Sequence, residues 1–136
     1  MRIVIDSNIF ISAFFYKGNP LKIWMRVIEG LDVLYITKEI IEEIEDVIYS
    51  EKFKADKNEI ERFIKVIKKT SKLITPSAII DNVCRDKDDN KILSCAISAN
   101  ADFIITGDKD LLVLKEFNNI KILTSKEYLE YMNLNT

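Results

Sequence analysis

Short β-branched runs alternate with helix-length amphipathic stretches along nearly the whole chain, and two of the runs are followed within two residues by an aspartate. Strands separated by helices need crossover connections, which are right-handed and build a mainly parallel sheet with helices on both faces. Arg2-Ile3-Val4-Ile5 reads as a buried strand ending at Asp6-Ser7-Asn8, where Ser7 or Asn8 suits the cap of a helix over about 8–15. Gly18-Asn19-Pro20 breaks that helix, and Pro20 as a first helical residue opens another over about 20–29, closed by Gly30.

Val33 to Ile36 is the second strand, and Thr37 caps a helix over about 38–49 whose Ile40, Ile41, Ile44, Val47 and Ile48 recur at the helical period. A fourth helix, about 57–71, places Ile60, Phe63, Ile64 and Ile67 on one face. Leu73 to Pro76 is at best a short edge strand, because proline cannot continue a ladder. A fifth helix begins at Asp86-Lys87-Asp88-Asp89-Asn90, carries Ile92, Leu93, Cys95, Ala96 and Ala99, and ends near Asn100. Phe103 to Thr106 is a strand followed by a short helix over about 109–114. Ile120 to Leu123 is the last strand, and Ser125 caps a terminal helix ending near Tyr131. The 136 residues suit a single α/β domain spanning 1–136, with a mainly parallel central sheet of four to five strands and no repeat or linker.

No run approaches the ~18 apolar residues of a membrane span. The opening lacks the basic-then-apolar layout of a signal peptide, so a cytoplasmic location is expected.

Histidine is absent. That removes Ser-His-Asp and Cys-His triads, imidazole metal ligands and imidazole acid–base catalysis. Cys84 and Cys95 are too few for a disulfide framework or a four-thiolate zinc site, and read as small buried or half-buried residues. Chemistry falls to carboxylates, hydroxyls, lysines or bound ions.

In open parallel sheets, sites form beyond the carboxyl ends of strands. Asp6 follows the first strand directly, and Asp108 follows the 103–106 strand after Gly107. If those two strands are neighbours across the switch point, Asp6 and Asp108 share a crevice. Each also has a structural use, Asp6 as a helix cap and Asp108 with Asp110 as a turn and cap. Asp86, Asp88 and Asn90 match the first positions of a calcium loop, but Lys91 stands where glycine is required and Ile97 where a bidentate glutamate belongs. An EF-hand is therefore excluded. The same aspartates suit a helix first turn, yet three in four positions repel unless a cation lies among them. On the 38–49 helix, Glu43 borders the apolar stripe and can lean over the sheet end, while Glu42 and Glu45 point outward.

Asp6, Glu43, Asp89 and Asp108 in one crevice would be four negative charges, some protonated at neutral pH without counter-ions. Oxygen ligands alone suit Mg²⁺ or Mn²⁺ rather than zinc. Such ions activate water and stabilise phosphate charge, which makes phosphodiester hydrolysis the natural chemistry.

The net charge is −2, but Lys65, Lys68, Lys69 and Lys72 follow i, i+3, i+4, i+7 and form an exposed basic stripe, preceded by Lys52, Lys54 and Lys57. A solvated face and a nucleic-acid backbone contact both fit it.

The stretches IVIDSNIFISAF, TKEIIEEIEDVI, CRDKDDNKILSCAISANADFIITGDKDLL and IKILTSKEYLEY, taken in order, resemble a PIN domain. The likeness is to the small prokaryotic branch that supplies the toxin of toxin–antitoxin pairs. The resemblance implies a three-layer α/β/α fold, a Mg²⁺ or Mn²⁺ site and ribonuclease activity on RNA. By position it assigns the catalytic and metal-holding acids to Asp6, Glu43, Asp89 and Asp108, with Asn8, Asp88, Thr106 and Asp110 as accessory residues. Asp88, adjacent to Asp89, is able to take its role. A small antitoxin protein and a homodimer are implied as partners.

Three alternatives stand beside this reading. A haloacid-dehalogenase-like phosphatase needs a second aspartate where Asn8 stands. A receiver-like module needs a phospho-acceptor aspartate after a middle strand, whereas the second strand here ends in Thr37-Lys38. The third is a PIN fold that has lost its activity and serves as a binding module.

Overall fold

Ile3, Val4 and Ile5 are all buried, as happens in a strand covered on both faces. They form β1 (Arg2–Ile5). The computed structural model describes residues 1–50, 55–77, 80 and 83–134, so Lys52 and Lys54 lie outside the described residues. The other strands are β2 (Val33–Ile36), β3 (Lys72–Leu73), β4 (Phe103–Ile105), β5 (Glu116–Phe117) and β6 (Ile120–Leu123). The helices are α1 (Ser7–Phe15), α2 (Gly18–Ile28), α3 (Lys38–Ser50), α4 (Lys57–Thr70), α5 (Lys87–Ser98), α6 (Lys109–Leu112) and α7 (Ser125–Leu134). The strand order is β3-β2-β1-β4-β6-β5, and every pairing is parallel except β5 with β6.

The two helical layers follow from the pleat. Arg2 Nη2 donates to Ala99 O, just past α5, at 2.6 Å. Its neighbour Ile3 is in register with Phe103, whose ring meets Tyr128 of α7 at 5.2 Å. Successive strand side chains point to opposite faces, so α5 and α7 cover opposite sides of the sheet. Trp24 packs edge-on to Phe10 at 5.7 Å and to Phe63 at 6.0 Å, joining α1, α2 and α4. Among the described residues no helix is long and apolar enough to cross a membrane.

The sheet is an α/β sheet of the expected kind, with one strand more than the four to five expected. The addition, β5, is two residues long and too short to show a period. Asn118 and Asn119 have φ of 48° and 68° and turn it back onto β6, as a two-residue hairpin with both central residues left-handed requires. Pro20 is the third residue of α2 rather than the first, because Lys17 and Gly18, both at φ 62°, make the turn earlier. Its missing N–H still falls in the first turn, where helical N–H groups lack partners. Thr37 caps α3 as expected, its Oγ1 accepting from Ile40 N at 3.3 Å. At α7 the cap is Thr124, not Ser125. Glu127 N donates to Thr124 Oγ1 at 3.1 Å, and Thr124 N donates to Glu127 Oε1 at 3.0 Å, which is a capping box.

The chain entering α5 is held by side chains rather than by a ladder. Asn90, Ser94 and Ser98 lie one turn apart on one face of the helix. Asn90 Oδ1 accepts from Cys84 N at 2.8 Å, and its Nδ2 donates to Cys84 O at 3.0 Å. Ser94 Oγ accepts from Ile80 N at 2.8 Å, and Ser98 Oγ from Ser77 N at 2.9 Å. These bonds set the approach to the aspartates at the helix start. Both cysteines are free, Cys84 half-buried and Cys95 buried.

Candidate functional site

The chain runs from β1 outward through β2 to β3, then returns to place β4 on the other side of β1. The β1/β4 boundary is thus the switch point where an open parallel sheet leaves a crevice. Ile5 and Ile105 are paired across it, and Asp6 N donates to Ile105 O at 3.0 Å. Asp6 therefore leaves the sheet at the level of Thr106, two residues before Asp108.

Three carboxylates converge there. Asp6, Asp89 and Asp108 each present an oxygen within 4.8 Å of the others. Asp6 is the residue before α1, but its side chain makes no capping hydrogen bond, so neither oxygen is used to start the helix. Asp108 does cap α6, accepting from Asp110 N at 2.8 Å through Oδ1. Asp89 reaches the cluster because it shares the buried face of α5 with Leu93 and Ala96, four and seven residues on.

The neighbouring acids have other uses. Asp86 caps α5, its Oδ1 accepting from Asp88 N at 2.9 Å. Asp88 turns outward to Lys91 at 3.4 Å. Asp110 meets Arg85 at 3.2 Å. Asn8 is exposed on α1. Glu42 is exposed and lies 3.9 Å from Lys38, while Glu45 lies 3.3 Å from Lys68.

Two hydroxyls bind the cluster together. Thr106, fully buried, donates from Oγ1 to Asp6 Oδ2 at 2.7 Å and accepts from Asp108 N at 3.0 Å. Ser7 Oγ lies 2.9 Å from Glu43 Oε1 and 3.3 Å from Asp6 Oδ1. Glu43 is thereby tied to Asp6 through a hydroxyl and stands beside the aspartates rather than among them. Sequence reasoning treats Ser7 only as a cap. A serine next to a strand-end aspartate carries no spacing signal of its own, and only the phase of α3 relative to α1 shows what it touches.

Burial and mutual repulsion disfavour charge on these acids. Burial first, then the charge and hydrogen bonding of Asp108 and the charges of Asp6 and Asp86, together push the Asp89 carboxyl up to about 7. Asp6 is raised by burial and by Asp108, against the hydrogen bonds of Thr106 and Ser7. Glu43 is raised by burial first and then by Asp88 and Asp6, with Ser7 and Lys91 opposing. Asp89 Oδ2 is buried without a protein hydrogen-bond partner. A buried, orphaned carboxylate oxygen among other carboxylates is the environment that a hard divalent cation relieves, and the oxygen-only donor set suits Mg²⁺ or Mn²⁺. The residues present fit such an ion.

The family model of the PIN domain matches residues 2–110. The chain is 36% identical to the uncharacterized protein MJ1680 of Methanocaldococcus jannaschii over 142 aligned positions, covering 96% of this chain and 90% of that protein. The fold is similar to that of a chain in the crystal structure of VapBC2 from Rickettsia felis bound to a DNA fragment from their promoter. The TM-score is 0.64 at 15% identity, covering 90% of this chain and 97% of that one.

Proposed function

Given that the chain belongs to the PIN-domain family, we propose that it is a metal-dependent ribonuclease whose site is the acidic cluster at the β1/β4 switch point. The observation that carries the reading is the convergence of Asp6, Asp89 and Asp108, residues distant in sequence, to within 4.8 Å. A structural role does not account for it, since carboxylates brought this close without a cation raise one another's pKa and destabilise the fold.

Asp6, Asp89 and Asp108 would hold Mg²⁺ or Mn²⁺, with Glu43 completing the set. When bound, the ion supplies Lewis-acid stabilisation of phosphate charge and makes water nucleophilic at neutral pH. Thr106 fixes the rotamer of Asp6 and the backbone of Asp108 with one hydroxyl. Burial of Asp6 and Asp89, 5% and 4% exposed, keeps bulk water from screening the cluster. Lys65 and Lys69 are exposed on α4 and are offered to an RNA backbone, while Lys68 shares its charge with Glu45. Lys72 does not continue this helical stripe, because α4 ends at Thr70 and Lys72 begins β3, its ammonium 5.9 Å from the centre of the Tyr35 ring. Asp88 and Asp110 line the approach without joining the cluster, and Asn8 stands exposed close to Asp6.

The finer role is that of a toxin held by a small antitoxin, working in the cytoplasm as a homodimer. Likeness of fold to a chain of the VapBC2 complex favours a protein partner. A short neighbouring reading frame encoding a DNA-binding protein supports this role, and an isolated gene counts against it.

A titration of Mn²⁺ against labelled RNA tests the activity. The unmodified chain is expected to cleave in proportion to bound metal and Asp6→Asn is expected not to. Equal cleavage by the two removes the assignment.

A further inference from the structure

Ser7 is 1% exposed and sits between carboxylates from two different elements, Glu43 of α3 and Asp6 at the end of β1. A serine hydroxyl has one proton to donate. The 2.9 Å approach to Glu43 Oε1 is the shorter, and the 3.3 Å approach to Asp6 Oδ1 is the longer. Asp6 already has a donor in Thr106, at 2.7 Å on its other oxygen. The proton of Ser7 is therefore directed to Glu43.

Glu43 lies outside the trio whose oxygens fall within 4.8 Å of one another. Among the described residues no lysine or arginine pairs with it; the nearby Lys91 is taken by Glu39 at 3.6 Å and Asp88 at 3.4 Å. A glutamate has three side-chain torsions to settle, and the Ser7 hydroxyl is the group that fixes the end of this one.

We propose that Ser7 is a positioning residue that holds the Glu43 carboxylate against the Asp6 side of the cluster, so that Glu43 joins the three aspartates in binding a divalent cation. The inference rests on the metal-site reading above and adds to it a residue that does not itself ligate.

Calorimetric titration of Mn²⁺ into the unmodified chain, Ser7→Ala, Glu43→Gln and the double variant tests it without any activity assay. Partners that orient a metal ligand are worth about 10–100-fold in affinity, so Ser7→Ala is expected to raise the Mn²⁺ Kd about tenfold. In the Glu43→Gln background the same change should alter Kd by less than about twofold, because the group it acts through is already neutral. Ser7→Cys, similar in volume but a weaker donor, moves Kd in the same direction by a smaller factor. Circular dichroism of each variant checks that the fold is kept.

Unchanged Mn²⁺ affinity in Ser7→Ala or Ser7→Cys overturns the role, and so does an equal loss with and without the Glu43 carboxylate. If the unmodified chain takes up no Mn²⁺, the metal reading fails and Ser7 falls with it. If that chain binds normally and the variants match it, only the part given to Ser7 is lost.

Discussion

Thr106 Oγ1 donates to Asp6 Oδ2 at 2.7 Å across 100 residues of chain, and the same oxygen accepts from Asp108 N at 3.0 Å. One buried hydroxyl therefore sets the relative positions of two carboxylates on neighbouring strand ends. Thr106→Val keeps the volume and removes both bonds, leaving Asp6 short of a donor. Hydrogen bonds to charged groups contribute about 1.5–3 kcal/mol, so a loss of that size is expected in urea unfolding. Mn²⁺ affinity should fall by about 10–100-fold, as for other residues that orient metal ligands. Thr106→Ser retains the hydroxyl and should stay close to the unmodified chain in both measurements.

Asp89→Asn should separate function from stability. Asp89 is 4% exposed, its Oδ2 is orphaned, and its charge is opposed by Asp108 and Asp6. Replacing it with a neutral amide relieves that repulsion. In metal-free buffer at pH 8 the variant should melt higher, by roughly 3–5 °C for each kcal/mol relieved, with a gain on the order of 1 kcal/mol. The same variant should lose Mn²⁺-dependent stabilisation. A lower metal-free Tm would mean that the Asp89 carboxylate supports the fold.

The pH dependence follows from the same acids. Asp89 is raised to about 7, and Asp6 and Glu43 are raised in the same direction. The folded chain then keeps protons that the unfolded chain has released, so metal-free stability is full below about pH 4 for these groups and declines as pH rises through about 7. Urea midpoints measured without metal between pH 5 and 8 should fall over that window. Saturating Mn²⁺ should reverse the slope, since the ion displaces those protons. A flat profile in both conditions contradicts the placement of these acids.

Asn90 tests the tether ahead of α5. Its side chain satisfies both the N–H and the C=O of Cys84, at 2.8 and 3.0 Å. Asn90→Ala leaves those groups unpaired, at a cost of about 1–3 kcal/mol. Because Asp89 is the adjacent residue, Mn²⁺ affinity should fall with stability. Thr124→Ala, which removes the cap of α7, should cost about 1 kcal/mol while leaving metal affinity unchanged. Chemical unfolding and calorimetry on the two variants distinguish a tether that serves the cluster from one that serves the fold alone.

The parts of this architecture legible in the sequence are those with a period or a terminus. Ile3-Val4-Ile5 and Phe103-Ile104-Ile105 announce central strands because both faces are buried, and the aspartates that follow them, Asp6 at once and Asp108 beyond Thr106 and Gly107, stand where a parallel sheet opens. Glu43 is visible as a residue on the border of an isoleucine stripe. The choice between Asp88 and Asp89 needs the phase of α5, which sets Asp89 over Leu93 and turns Asp88 to Lys91. Ser7 carries no pattern, since a hydroxyl beside a strand end looks like a cap until its partner arrives from 36 residues away, and Thr106 is picked out only by the family resemblance, its partner lying 100 residues away. β5 is hidden for another reason: a two-residue strand has no alternation to read, and its turn is marked only by two asparagines.

The claim on which the rest depends is that Asp6, Asp89 and Asp108 enclose a divalent cation. Anomalous scattering from a crystal soaked in Mn²⁺ measures this directly. The account predicts one or two peaks bounded by oxygens of these three residues, at coordination distances of about 2.0–2.6 Å, with Glu43 on the Asp6 side. Saturating Mn²⁺ that leaves the cluster bare, or settles on other carboxylates, would contradict it.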